Sequence, residues 1–217
     1  FLKLPVTYSI VTNVDKEHLD FYRNFNVLKK YFLDFIEKTP SFGKSVVCID
    51  SKNLNSILRL CKNNNYLTYG FNKNANFQII NVRKKINYSI FDLNIKTTKQ
   101  KFFKIKNIRV NLIGDHNITN ATAAIIIAIN LGIKINKIKK ALRKFLGIQR
   151  RFTKVFSIGK RDFYDDYAHH PTEIESILDG VHNVNAKRKI ISVFEPHRYS
   201  RVLSLKNEFS KCFSKSS

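Results

Sequence analysis

Residues 45–71, "SVVCIDSKNLNSILRLCKNNNYLTYGF", decide the fold. "SVVCI" (45–49) is a short apolar run of strand character, "NLNSILRLCK" (53–62) reads as helix, and "YLTYGF" (66–71) returns to strand. Upstream, "PVTYSIVTNV" (5–14) is a β-branched, largely buried strand. It is followed by "NFNVLKKYFLDFIEKT" (24–39), where Phe25, Leu28, Phe32, Phe35 and Ile36 fall at helical spacing. Strands alternating with helices predict an α/β class with a parallel, helix-covered sheet.

Downstream the texture changes. "FQIINV" (77–82), "INYSIFDL" (86–93) and "KFFKIKNIRVNL" (101–112) alternate as antiparallel hairpins appended to that sheet. Two helices follow, 114–133 closing on Gly132 and 135–148, also ended by a glycine. After Gln149-Arg150-Arg151 the pattern restarts. "KVFSI" (154–158), "RDFYDDY" (161–167) and "KIISVF" (189–194) read as strands, and 171–184, with Pro171 in its first turn, and 201–213 as helices. The restart predicts two domains, 1–149 and 150–217.

Bulk composition sets the bounds. A chain of 217 residues with 43% hydrophobic and 25% charged content builds a globular core and is not disordered. Its longest apolar stretch, Ala121 to Ile129, is shorter than the roughly 20 residues of a membrane span. No signal-peptide pattern opens it, so a cytoplasmic protein is expected, without membrane insertion. Cys48, Cys61 and Cys212 are odd in number and form no CxxC, which argues against a disulfide framework or zinc ribbon. The net charge of +23 suits a nucleic-acid binder, yet the lysines are scattered from end to end, as compositional bias would also leave them. There is no Met, the chain opens Phe-Leu-Lys, and it closes "KCFSKSS" as if within a helix. A fragment is expected.

Five stretches gather chemistry, each with a bland reading beside the functional one. "TNVDKEHLDFY" (12–22) places Asp15, Glu17, His18 and Asp20 beyond a strand's carboxyl end, where α/β sheets bind ligands; a charged loop looks the same. In "GDHNITNATAA" (114–124), Asn117 and Asn120 share a helix face beside His116. An asparagine amide matches adenine N6 and N7, and it also caps helices. "RRF" (150–152) offers a phosphate-gripping guanidinium or an exposed basic pair. Arg198 and Arg201 in "FEPHRYSR" (194–201) are spaced to close on one carboxylate, or to lie in a solvated turn. "YDDYAHHPTEIE" (164–175) crowds Asp165, Asp166, Tyr167, His169 and His170 at another strand end; with no cysteine nearby, zinc is disfavoured.

In this order and at these separations, "VTNVDKEHLDFY", "GDHNITNATAA", "LGIQRRF", "DDYAHHPTE" and "PHRYSR" closely resemble the Mur ligases, from the first residues to the last. The resemblance implies the later part of a P-loop-type central ATPase domain followed by the start of a Rossmann-like carboxyl-terminal domain. The P-loop GxxGK[ST] itself is absent from 1–217, so this polypeptide alone is expected to be inactive. The two most specific stretches point to the branch joining L-alanine to UDP-N-acetylmuramate in peptidoglycan precursor synthesis. There the muramyl carboxylate takes the γ-phosphoryl group of ATP, and the amine of alanine attacks the acyl phosphate. A ligase that recycles murein tripeptide is the near alternative; a basic nucleic-acid-binding protein is the one from another class.

Residue by residue, the resemblance assigns His18 as a ligand of Mg2+. It places His116, Asn117 and Asn120 at adenine and Arg151 at phosphate, and it makes Asp166 the acid of the last domain. Tyr167, His169, Arg198 and Arg201 surround the amino acid. Phosphoryl transfer is mostly positioning and charge neutralisation, which such residues suit. An ordinary Asp, with a pKa of ~3.9, is a poor base at neutral pH. Asp166 is therefore expected to orient and His169 to accept the amine proton.

Overall fold

The computed structural model describes residues 1–85, 87–96, 102–184 and 188–216, with the backbone alone at Phe102. The predicted strands beginning at Ile86 and Lys101 start on positions outside the described residues. The chain divides into two units, 1–83 with 90–109 and 119–141, and 84–89 with 110–118 and 142–217.

The first unit contains the predicted alternation: β1 (Tyr8–Val11), a short α1 (Leu19–Tyr22), α2 (Phe25–Glu37), β2 (Lys44–Cys48), α3 (Lys52–Leu58) and β3 (Tyr66–Gly70). β1, β2 and β3 pair parallel, Ile10 opposite Val46 and Val47 opposite Thr68. Helix starts follow from side-chain acceptors: Asn24 Oδ1 takes the Val27 N–H at 3.0 Å and Ser51 Oγ that of Leu54 at 3.4 Å. Ile36, Val46, Val47, Leu54, Ile57 and Tyr69 are at most 1% exposed. Each such aliphatic side chain contributes roughly 1.5–3 kcal/mol.

At the carboxyl end of β2 and β3, Asp50 accepts the N–H groups of Phe71 and Asn72, both at 2.9 Å. Gly70 (φ +143°) is required there, because a Cβ would stand 2.5 Å from Asp50 Oδ1. The sheet continues in sequence order through β4 (Phe77–Lys84), β5 (Ser89–Lys96) and β6 (Phe102–Val110). Lys85 N–H donates to Tyr88 O at one end of the β4–β5 pair and Lys96 N–H to Asn76 O at the other, the pattern of the expected hairpin. Asp92, 7% exposed, accepts from Asn81 Nδ2 and Asn107 N–H, both at 2.8 Å. Burial works to raise its pKa, but these donors with Lys104 and Arg83 hold it below the usual carboxylate range.

Next come α4 (Asp115–Asn130), closed by Gly132 at φ +75°, and α5 (Ile135–Lys144). The second unit then forms a separate two-stranded antiparallel sheet, β7 (Thr153–Ile158) and β8 (Arg161–Asp165), and helices α6 (Pro171–Val184), α7 (Tyr199–Ser204) and α8 (Lys206–Cys212). Ile174 and Leu178 of α6 pack on Cys212, with Phe194, Phe209 and Phe213 around them.

Three expectations are corrected here. Residues 189–194 form no strand, since an extended run needs a hydrogen-bonded neighbour and the second sheet holds β7 and β8 alone among the described residues. β8 ends at Asp165 because Asp166 folds its carboxylate back onto the backbone. The single helix expected over 201–213 breaks at Leu205 (φ −119°). No helix among the described residues is long and apolar enough to cross a membrane.

Candidate active site

The crowded stretch 164–175 is built on a sharp double turn in the second unit. Arg150 and Phe152 both take positive φ, 59° and 50°. Tyr167 N–H donates to Arg150 O at 2.9 Å, which lays 150–152 beside 165–168. Asp166 clamps the two segments together: one oxygen accepts the Phe152 N–H and the other the Ala168 N–H, both at 2.6 Å. With both oxygens engaged by main chain, this carboxylate orients the turn. The Arg150 guanidinium stands 4.8 Å from the centroid of the exposed Tyr167 ring. Phe152 stacks on Tyr164 at 4.3 Å.

His169 points a different chemistry outward. Its Nδ1 lies 2.8 Å from Tyr167 O, and a carbonyl only accepts, so in the neutral ring the proton sits on Nδ1. Nε2 keeps the lone pair and is the atom able to take a proton. Glu173 Oε2 accepts the N–H of His169 (3.1 Å) and more weakly that of His170 (3.4 Å), closing the start of α6. Its other oxygen stands 3.8 Å from Arg151 Nη1, an ion pair whose partners are both more than a third exposed.

The same unit brings the 114–117 turn onto α6. Glu173, Ser176 and Gly180 stand at i, i+3 and i+7, on the side of α6 away from Ile174 and Leu178. Ser176 Oγ is 2.9 Å from His116 Nδ1. Gly180 lies so close to Gly114 that a Cβ on it would meet Gly114 Cα at 3.2 Å.

Hydrogen-bond direction here is set by Ile113. Asn117 Nδ2 donates to the Ile113 carbonyl at 2.7 Å and lies 3.0 Å from His116 Nε2. An amide nitrogen only donates, so Nε2 accepts and the ring proton sits on Nδ1, facing Ser176. The His116 ring is thus neutral. Burial pushes its pKa below the ordinary histidine value, Arg151 adds to that, and Asp166, Asp115 and Glu173 pull the other way. Asn117 is not an acceptor cap, as the bland reading had it; its amide donates and leaves Oδ1 as its acceptor.

The remaining assigned residues are placed separately. Arg201 is 7% exposed and turns inward, Nη1 donating to His197 O at 3.1 Å. Arg198, exposed at φ 63°, precedes α7. In the first unit, exposed His18 (φ 55°) accepts the Phe21 and Tyr22 N–H groups through its carbonyl, and Asn120 is exposed on α4. No group of three His, Cys, Asp or Glu placed to hold a metal ion occurs among the described residues. The imidazole of His18 is an uncommon kind of donor for magnesium, which prefers oxygen ligands. Sequence reasoning missed Ser176 and Gly180, which carry no motif. Glu173 was legible as an acid in the first turn of a helix.

Residues 2–128 match the Mur ligase middle domain and residues 150–213 the Mur ligase, glutamate ligase domain. The chain belongs to the Mur ligase family. It is 49% identical over 215 residues to UDP-N-acetylmuramate–L-alanine ligase of Pelagibacter ubique, covering 99% of this chain and 46% of that protein. It is 38% identical over 213 residues to the Brucella anthropi protein of the same name, covering 98% and 45%. The chain thus spans about half the length of these relatives. Among solved structures, the UDP-N-acetylmuramate-alanine ligase of Thermotoga maritima superposes with a TM-score of 0.70 at 23% identity, covering 97% of this chain and 44% of that one. The apo form of L. casei FPGS gives 0.66 at 14%, covering 97% and 49%. At these identities the likeness is one of fold, shared across Mur ligase-type enzymes.

Proposed function

We propose that this chain carries part of the ATP site and the amino-acid site of a UDP-N-acetylmuramate–L-alanine ligase. Residues 1–149 would belong to the central ATPase domain and 150–217 to the amino-acid-binding domain. The name of its relatives at 38–49% identity supplies the substrates. The observation carrying the reading is the division of labour in one turn: Asp166 has both oxygens locked to main chain, while His169 presents Nε2 two residues beyond Tyr167. An ammonium group must lose a proton before it attacks an acyl phosphate, and a neutral imidazole suits that task at neutral pH better than an ordinary carboxylate.

In this reading Tyr167 is the wall of the acceptor pocket, where excluding one methylene is worth ~1–3 kcal/mol. Arg198 and Arg201 hold the alanine carboxylate by charge-assisted bonds. Arg151, held near α6 by Glu173, neutralises phosphate charge, and His116, Asn117 and Asn120 receive adenine. Mg2+, when bound, neutralises phosphate charge, and His18 is proposed as one of its ligands.

The test is amino-acid-dependent phosphate release by the polypeptide its gene encodes, with ATP, magnesium and UDP-N-acetylmuramate. L-alanine, glycine, L-serine and murein tripeptide are compared. Preference for L-alanine supports the reading, and turnover with tripeptide alone moves the function to recycling. A His169→Gln variant whose pH–rate profile matches the wild type sinks the proton-acceptor assignment.

A further inference from the structure

Between Asp115 and Asp162 the chain carries no acidic residue, and α5 lies in the middle of that interval. Half of its residues are basic, Lys137, Lys139, Lys140, Arg143 and Lys144, with Lys134 just before it. Ile138 is buried and Leu142, one turn on, is half-buried, so this side of α5 faces the protein. Lys137, Lys140 and Lys144, at i, i+3 and i+7, stand exposed on the opposite side. Nothing within the helix favours these charges. Like charges three and four residues apart repel, and Lys134 and Lys137 sit at the amino end, where the helix dipole disfavours a cation. Exposed apolar side chains adjoin the basic helix: Leu131 (59%) and Ile133 (43%) lie in the turn that closes α4. There the Gly132 and Ile133 N–H groups donate to Ile129 O and Ala128 O at 2.9 and 3.0 Å.

We propose that the basic face of α5 is a peripheral docking surface for an anionic lipid bilayer. A diffuse negative surface relieves the repulsion among the lysines, and each cation near it adds attraction without needing a fixed partner. Lysine, a compact charge on a flexible stem, suits such a surface. Arginine is the residue of bidentate recognition in nucleic acids, and α5 holds one Arg beside four Lys. Leu131 and Ile133 supply the second, apolar signal that stable interfacial binding takes, and a bilayer offers them an apolar layer that a phosphate backbone does not. The contact is adsorption: a ten-residue helix is about 15 Å long, roughly half the hydrocarbon thickness.

The test is flotation of the polypeptide its gene encodes with vesicles of phosphatidylcholine, alone or mixed with phosphatidylglycerol. The wild type should float with the mixed vesicles only, and high salt should weaken that binding. A chain of net charge +23 is drawn to any anionic surface, so two variants of equal charge decide the location. Lys137→Gln/Lys140→Gln/Lys144→Gln removes three charges from α5, and Lys52→Gln/Lys73→Gln/Lys206→Gln removes three exposed ones elsewhere. All six positions are exposed, so both variants should fold as the wild type does, read from urea midpoints. At about fivefold per lysine, the α5 variant should lose roughly a hundredfold in partition coefficient and the other less than about tenfold. Leu131→Ser/Ile133→Ser, which keeps every charge, should also bind more weakly. Equal losses in the two triple variants, or unchanged binding in the α5 variant, overturn the proposal. So does a wild type that ignores the mixed vesicles, and if it then binds single-stranded RNA the face belongs to nucleic acid.

Discussion

Replacing Asp166 separates an orienting role from a catalytic one. Its two oxygens each accept a main-chain N–H at 2.6 Å, joining Phe152 to Ala168. A hydrogen bond to a charged acceptor is worth about 1.5–3 kcal/mol; half-buried and partly screened, each is taken at the low end, about 1–2. Asp166→Ala deletes both and should cost about 2–4 kcal/mol. Asp166→Asn keeps one acceptor and turns an amide N–H toward the other donor, so about 1–2 kcal/mol is expected. With a urea slope of about 2 kcal/mol per molar, the midpoints should fall by roughly 1–2 M and 0.5–1 M. The assay is urea unfolding followed by tyrosine fluorescence and far-ultraviolet circular dichroism, in parallel with phosphate release by the polypeptide its gene encodes. If Asp166→Asn unfolds at the wild-type midpoint yet loses turnover, the clamp is not what the carboxylate does. Asp166 would then be a proton acceptor after all.

Three further outcomes follow from the geometry. His116 is held neutral, so as pH falls through about 6.5 the unfolded chain binds a proton that the folded ring resists. Stability should drop below that pH, and in His116→Gln the drop between pH 7 and pH 5 should be smaller, read from urea midpoints. Gly70→Ala places a Cβ 2.5 Å from Asp50 Oδ1 at a φ of +143°, and should cost about 2–4 kcal/mol in the same assay. Asp92→Ala strands the Asn107 N–H and the Asn81 amide and should cost about 2–4 kcal/mol. Because the Asp92 pKa is depressed, the wild-type advantage over this variant is full above about pH 4 and disappears as pH falls through the lowered value.

Much of this arrangement was legible in one dimension because its causes are local. The α2 stripe of Phe25, Leu28, Phe32, Phe35 and Ile36 and the stop at Gly132 depend on neighbours within a turn or two, and they appear where periodicity puts them. The parallel core of β1, β2 and β3 follows from alternation with helices. The apolar run 189–194 misled because a strand is defined by a neighbour, and pairing is not a property of the run itself.

The candidate site divides along the same line. Ordered motifs alone mark Arg151, Asp166, Tyr167 and His169 as one group, and nothing in their spacing says which atoms are occupied. Only the tertiary structure decides that Asp166 has both oxygens taken and that His169 keeps Nε2. It alone sets the His116 proton, through an Asn117 amide whose direction the Ile113 carbonyl fixes. Sequence determines which residue types are present and the local path that carries them. Hydrogen-bond direction and proton position are settled by the partners that folding brings within 3 Å, because the same imidazole or amide donates or accepts according to what faces it.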